Sequence, residues 1–290
     1  TAGYFIHAPN PGDEWGFTGS WDQEVKNDGG NKVWRISNAV TSSGFSNQPY
    51  SPSSLLVAGA TGAALYNDRG PSHTTPVAPP GARYTASSKY FHGGFKFKSA
   101  TGAAQPGLTM AINPAPRQGN VRMSFVGITD NGSTGFNLNF FQTNTGGTFS
   151  SSIPIATDLS YTSWHELNIY IEFVNGLNGD GSGNDIVIVE LNGSVIHVGT
   201  TWETYYASPS WTSTPSPIAV DALMFRLSGT AVPANSGNGF YVDDVEYDNV
   251  TPPAIPARAR VYADGAETML LSSHFFIQDA INAASNGNFI

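Results

Sequence analysis

Short runs in which apolar and polar residues alternate, closed by turn-forming residues, dominate this 290-residue chain. In Trp164–Phe173, every second residue from Leu167 to Phe173 is apolar, which is typical of a strand with one buried face. The dipeptide Asn192-Gly193 between two such runs predicts a tight hairpin. Further strands are predicted over Gly93–Lys98, Val121–Ile128, Gly135–Phe141, Asp185–Leu191, Ser194–Val198, Val220–Leu227 and Gly239–Tyr247.

Many strands at regular spacing, with almost no helical period, favour one fold class. We predict an all-β, two-sheet antiparallel jelly-roll sandwich over residues 1–250. The stacked prolines of Thr251–Pro256 favour an extended linker, which we place at 251–260.

Residues 261–290 form a predicted C-terminal extension. A short strand at Ala259–Tyr262 is predicted where the linker meets this extension. Ser272 and Ser273 predict the start of a short helix that ends before Gly287, its C′ residue. Its apolar face would consist of Phe276, Ile277, Ala280, Ile281 and Ala284. Such a tail is too small to bury a core of its own. We expect it to dock on the sandwich, on a second copy in a homo-oligomer, or on sequence outside this chain.

The composition excludes several classes of protein. The net charge is −9 with only 13 Lys and Arg, which leaves no electrostatic footprint for nucleic acid or for an anionic membrane surface. No apolar run approaches the ~20 residues that span a bilayer. Without cysteine, disulfides and thiolate zinc sites are impossible. Few charges combined with much Gly, Thr, Ser and Asn suit a bacterial or viral exterior protein, and we expect an extracellular or cell-surface location on a bacterium.

Several segments resemble the concanavalin A-like, laminin-G-like jelly-roll domains of large secreted bacterial surface proteins. They are Trp164–Leu167, Asn184–Val189, Leu191–Gly193, Gly199–Tyr206, Phe225–Gly229 and Gly239–Val245. This resemblance implies a jelly roll over about 1–250 that binds sugars, mediates adhesion or acts as a spacer.

A second segment, Ile277–Gly287, is similar to the N-terminal cap of right-handed parallel β-helix proteins of the pectate-lyase-like group. In that group the short helix caps a solenoid. Here the resemblance implies a truncated or processed longer protein, or a tail reused for docking.

Three acidic residues near the end of the sandwich are weak catalytic candidates. Asp244, Glu246 and Asp248 alternate, so a regular strand would place them on one face. Glycosidases work with two neighbouring carboxyl groups. A solvated face without catalysis is the alternative interpretation.

A Gly-rich loop carries a candidate calcium site. Asn and Asp side chains alternating with glycine can wrap oxygens around this ion, and the same residues also form ordinary turns. The predicted ligands are Asn178, Asp180, Ser182, Asn184 and Asp185, with Asp13/Glu14 and Asp22/Glu24 as alternative oxygen-rich pairs.

The densest cluster of aromatic and polar residues is a candidate sugar site, because sugars bind to aromatic faces and planar polar groups. Its members are Trp202, Glu203, Tyr205, Tyr206 and Trp211. Core packing is the alternative interpretation.

Three functions therefore stay open. The first is an extracellular adhesion, carbohydrate-binding or structural module without catalysis, with a glycan or another surface polymer as partner. The second is a glycan-active hydrolase or lyase; a lyase would need a cluster such as His165, Tyr170, Arg122 and Arg226 on a concave sheet. The third is a self-assembling subunit that contacts a neighbour through residues 251–290.

Overall fold

The computed structural model describes residues 21–44, 48–51, 63–65, 90–115, 122–174, 177–208, 218–220, 222–248, 253, 259–262 and 270–274. In chain order its elements are β1 (Gln23–Asp28), β2 (Asn31–Ile36), β3 (Ala63–Leu65), β4 (Tyr90–Ser99), β5 (Thr109–Ala115), β6 (Phe125–Asp130), β7 (Phe136–Phe141), β8 (Ile153–Leu159), β9 (His165–Glu172), β10 (Ile186–Leu191), β11 (Ser194–Gly199), α1 (Glu203–Ala207), β12 (Ile218–Val220), β13 (Ala222–Arg226), a 3-10 turn (Pro233–Asn235), β14 (Phe240–Asp248), β15 (Ala259–Tyr262) and β16 (Leu270–His274).

Two antiparallel sheets form the sandwich. The larger has seven strands in the order β1-β2-β14-β4-β9-β10-β11, and the smaller has five in the order β13-β5-β6-β7-β8. Strands β3 and β12 form a separate pair. The predicted all-β, two-sheet antiparallel jelly-roll sandwich is confirmed.

The core lies between the two sheets and is strongly aromatic. Phe225 of β13 packs edge-on against Trp34 of β2 at 5.2 Å and against Phe95 of β4 at 5.4 Å, measured between ring centroids. Phe97 of β4 lies 6.0 Å from Phe136 of β7. Each side chain of this size contributes roughly 1.5–3 kcal/mol on burial, so these contacts fix which face of every strand points inward.

The predicted Asn192-Gly193 hairpin is present between β10 and β11. Leu191 pairs with Ser194, and the two turn residues have φ of 51° and 77°. A two-residue turn with positive φ at both positions matches the twist of the flanking strands. The fold therefore uses this dipeptide as the sequence pattern predicts.

The chain divides into two compact units, Thr1–Pro252 and Pro253–Ile290. In the second unit β15 pairs antiparallel with β16, which confirms the predicted strand at Ala259–Tyr262. Ser272 and Ser273 lie inside β16, so the prediction that they begin a helix is wrong. Backbone pairing with β15 takes the amide groups that a helix start would need capped. The rest of the predicted helix lies outside the described residues, and docking of the tail stays a prediction.

Within the part of the chain that the structure describes, no helix has the length and apolar character needed to cross a bilayer.

Candidate functional site

A bulge in β14 shapes the outer face of the seven-stranded sheet. Asp243 pairs with Lys96 of β4, but the next pair joins Glu246 to Gly94, so β14 has one residue more than its partner here. Asp244, at the bulge, has a φ of 46°. A non-glycine residue in this region carries backbone strain, and such strain is common at functional sites.

The bulge changes which acidic residues share a face. In the strand register, Asp243, Glu246 and Asp248 pair with Lys96, Gly94 and His92, which puts the side chains of Asp243 and Glu246 on the outer face. The prediction assumed that Asp244, Glu246 and Asp248 alternate regularly along the strand. That assumption is wrong, because the extra residue of the bulge shifts the phase of β14. Asp244 still reaches this face, since its Oδ2 accepts a hydrogen bond from Nζ of Lys96 at 2.9 Å. The side chain of Asp248 lies outside the described residues.

A cavity of about 340 Å³ opens beside the bulge. Its walls combine apolar and charged side chains from β4, β9 and β14, namely Phe95, Lys96, Glu166, Asp244, Val245 and Glu246. One ammonium group therefore faces three carboxyl groups. We call these six residues the outer-face cavity.

Gly94 leaves the space in which the neighbouring side chains meet. A Cβ atom at this position would overlap Oδ1 of Asn168 and would lie 3.2 Å from both Cγ and Oε1 of Glu246. The absence of a side chain on β4 lets Asn168 of β9 and Glu246 of β14 approach each other across it. Only glycine is compatible with this arrangement.

Asn168 organises a polar network next to the cavity. Its Nδ2 donates to Oε1 of Glu166 and to Oε1 of Glu190, both at 3.3 Å. Its Oδ1 lies 3.1 Å from Nε2 of the buried His92. Because Asn168 directs its amide nitrogen to the two carboxylates, its oxygen must accept, and His92 therefore carries a proton on Nε2. The network holds Glu166 in place at the cavity wall.

Electrostatics favour the charged form of Lys96. The hydrogen bond and the negative charge of Asp244 raise the pKa of Lys96, and Glu166 and Asp243 add to this effect. The side chains of Lys96 and Asp244 are 40% and 50% exposed, so this pair contributes little to stability. Its effect is to neutralise one of the three carboxylates of the cavity.

Aromatic side chains extend the same face in both directions along β4. The rings of His92 and Tyr170 stack at 4.3 Å with an interplanar angle of 11°. At the other end, Nζ of Lys98 lies 5.0 Å from the ring centroid of Trp164 and 5.7 Å from that of Tyr241. The outer face thus presents aromatic groups on either side of a charged cavity.

The cluster that a lyase would need does not assemble from the residues named for it. His165 pairs with Phe97 on the inner face, where its Nε2 lies 2.9 Å from the carbonyl oxygen of Ser160, whereas Tyr170 is on the outer face. Arg122 stacks over the ring of Trp202 at 4.4 Å. Burial lowers the pKa of Arg122 to about 10, and the positive charge of Arg226 adds to this effect.

The predicted sugar cluster is part of the core, so most of that prediction is wrong. Trp202, Glu203 and Tyr206 are 4%, 1% and 3% exposed. The short helix α1 turns Trp202 inward, where its Nε1 donates to the carbonyl oxygen of Phe141 at 3.2 Å. A buried ring cannot offer a face to a sugar. Tyr205 is partly exposed and packs on the exposed Phe149 at 5.0 Å, while Trp211 lies outside the described residues.

The residues of the predicted calcium loop separate into two groups. Asn178, Asp180 and Ser182 bond to one another, with Oδ1 of Asp180 accepting from the backbone nitrogen of Ser182 at 2.9 Å and from its Oγ at 2.6 Å. Asp185 is buried and accepts from the backbone nitrogen of Val174 at 2.8 Å and from Thr201 Oγ1 at 2.5 Å.

Asn184 differs from the other predicted calcium ligands in its hydrogen bonding. Oδ1 of Asn184 is buried and accepts no hydrogen bond among the described residues. Those residues hold no group of three or more His, Asp or Glu side chains arranged for a metal. Calcium binding here stays a prediction.

The alternative pair Asp22 and Glu24 has another role. Asp22 accepts from Nη2 and Nη1 of the buried Arg35 at 2.9 and 3.0 Å, and Glu24 accepts from its Nε at 2.9 Å. Burial acts to raise the pKa of Asp22, but the hydrogen bonds from Arg35 and Ser37 lower it overall. Asp13 and Glu14 lie outside the described residues.

Most residues of the outer-face cavity were missed by sequence reasoning. Alternation within β4 and β9 was a usable signal, because it places Lys96 on one face of its strand and Glu166 on one face of the next. Nothing in the sequence shows that β14, nearly 150 residues later than β4, pairs beside it.

Comparison with known proteins adds little beyond the architecture. No protein-family model matches the chain, and no curated protein matches its sequence. Among solved structures, an alginate lyase from Klebsiella pneumoniae has a TM-score of 0.45 at 8% identity, covering 78% of this chain and 84% of the lyase. Sheep galectin-11 has a TM-score of 0.30 at 10% identity, covering 55% and 90%.

A sialidase shows the same low likeness. Its TM-score is 0.33 at 11% identity, and the match covers 56% of this chain but only 13% of the sialidase. At these scores the likeness carries no argument about activity, and the description of the sandwich rests on the strands of this chain.

Proposed function

We propose that this protein is an extracellular carbohydrate-binding module without catalysis, which holds a glycan on the outer face of the seven-stranded sheet. The observation that carries the proposal is the outer-face cavity, with Lys96, Glu166, Asp244 and Glu246 in its walls. Sugars are recognised by planar polar groups placed in a concave site beside aromatic surface.

The dimensions and surroundings of the face support this role. From Lys98 to His92 the face runs along β4 for about 20 Å, at ~3.4 Å per residue. Partly exposed aromatic rings, Tyr170 at one end and Trp164 and Tyr241 at the other, flank the cavity. This length suits a short oligosaccharide that lies along the strand. In a surface polymer, such an oligosaccharide would be one stretch of the longer chain.

Isothermal titration with tetrasaccharides of neutral, N-acetylated, amino and uronic sugars tests the proposal. We expect at least one class to bind, and Glu246→Gln to weaken that binding about fivefold or more. Asp158→Asn is the matched control: it removes the same charge from β8 of the other sheet and keeps an acceptor for Asn131, whose Nδ2 lies 2.8 Å from Asp158 Oδ1. If no class binds, or if both variants act alike, the proposed site is wrong.

A glycoside hydrolase is the second candidate, because Glu166 and Glu246 line the same cavity. Glycosidases require two such carboxyl groups on either side of the scissile bond. The assay is release of new reducing ends from the polysaccharide that binds. Activity that either Glu166→Gln or Glu246→Gln abolishes would identify the protein as a hydrolase. A polymer that binds and stays intact would support the binding module without catalysis.

A further inference from the structure

We propose that the glycan is an amino-sugar polymer with protonated amines, and not a uronic-acid polymer. This inference rests on the proposed binding function and assigns the substrate class of the outer-face cavity. It follows from the excess of acidic groups around the cavity and from the fact that the donors on this face already bond to carboxylates of the protein.

Negative charge is in excess at the cavity. Three of its six lining residues, Glu166, Asp244 and Glu246, are acidic and only Lys96 is basic. Glu190 adds a further carboxylate beside Asn168. An approaching uronate carboxylate would meet like charges, whereas an ammonium group would meet opposite ones.

The positive groups of this face are already engaged by carboxylates of the protein. Lys96 donates to Asp244 at 2.9 Å, and Lys98 lies 2.7 Å from Oδ2 of Asp28. The amide nitrogen of Asn168 donates to two glutamates. To bind a uronate here, the protein would have to break one of these pairs, so Lys96, Lys98 and Asn168 offer no ready partner to an acidic sugar.

Acceptor capacity, in contrast, remains. Asp243 is 4% exposed and faces Lys96 in the strand register on the same side as Glu246. Its Oδ2 accepts from Nδ2 of Asn31 at 2.5 Å, but its buried Oδ1 accepts no hydrogen bond among the described residues. The buried Asp243 therefore adds negative charge beside the cavity without reaching the ligand itself. A ligand ammonium would meet the exposed carboxylate of Glu246 in the cavity wall.

The test compares three tetrasaccharides of equal length by titration at slightly acidic pH and low salt: glucosamine, N-acetylglucosamine and a uronate. We expect the glucosamine tetramer to bind about tenfold more tightly than its N-acetylated form, and the uronate to bind most weakly. Added salt should reduce the preference for the amine, because screening weakens charge attraction.

Glu246→Gln should reduce this preference about fivefold, the effect of one charge at roughly 4 Å in water. Asp158→Asn should leave it unchanged. Equal or tighter binding of the N-acetylated tetramer, or of the uronate, would overturn the inference while the binding function stands. Failure of all three to bind would overturn the inference, and failure of the neutral tetrasaccharide as well would overturn the binding function.

Discussion

Replacing Gly94 with alanine should destabilise the protein and disrupt the outer-face cavity together. The new methyl group would overlap Oδ1 of Asn168 and crowd Oε1 of Glu246, at 3.2 Å. Asn168 must rotate away, and it then loses its hydrogen bond to His92 and its two bonds to Glu166 and Glu190.

The magnitude follows from two opposing effects. Disturbing a buried polar contact costs about 1–3 kcal/mol, and overpacking adds a cost of about the same size. The reduced entropy of the unfolded chain returns about 0.4–1 kcal/mol. We expect a net loss of about 3 kcal/mol in the free energy of unfolding, which corresponds to a drop of roughly 9 °C in Tm.

Gly127→Ala is the matched control. Gly127 also lies inside a strand, but a Cβ there would meet only Cε2 of Phe141 at 3.5 Å and the carbonyl oxygen of Asn139 at 3.9 Å. This substitution should be neutral or stabilise the fold by up to about 1 kcal/mol. Urea unfolding measures the stability of both variants. Isothermal titration with the glycan that the protein binds measures the affinity of the outer-face cavity. Equal stability of the two variants would refute the account of Gly94.

Four further predictions concern other parts of the molecule. Burial lowers the pKa of His197 to about 4, so the unfolded state takes up the proton first and stability should fall as pH drops from about 6.5 toward 4. His197→Phe should flatten urea-derived stability over that range by about 2 kcal/mol, and an unchanged slope would contradict the assignment. Trp202→Ala should cost about 3–5 kcal/mol in urea unfolding because the ring is core; a loss of glycan binding with unchanged stability would restore the sugar-site prediction. If the loop around Asp180 binds calcium, added Ca²⁺ should raise Tm and chelator should reverse it, whereas no shift in either direction would end that prediction. If residues 251–290 connect copies of the chain, their deletion should yield a monomer by light scattering, and a truncated protein that still assembles would show that the connection lies elsewhere.

Much of the architecture was readable from local patterns. Alternation located β4, β7, β9, β10, β11 and β14, because a half-buried strand imposes a period of two on its own residues. The Asn192-Gly193 turn was equally local, since only a few dipeptides adopt positive φ at both positions. Six of the strands that the structure describes were missed, namely β1, β2, β3, β5, β8 and β16. Strands β5 and β8 each contain a proline, Pro114 or Pro154, which weakens the strand signal.

Residue type alone misplaced the aromatic cluster. Trp202 and Tyr206 have the composition of a sugar platform, yet α1 turns them into the core, and burial is a property of the whole packing arrangement. Asp22 and Glu24 show the same limit, because only pairing of β1 with β2 brings them to Arg35.

By itself, the sequence determined the all-β class and about half of the strands with their inward faces, because a regular half-buried strand depends on neighbours along the chain. Tertiary structure alone decided the cavity. Lys96, Glu166 and Glu246 come from three strands that are distant in sequence and adjacent in the sheet, and the bulge at Asp244 shifts the phase of β14 by one residue. Strand order and register arise from packing the two sheets against each other, which no local pattern encodes.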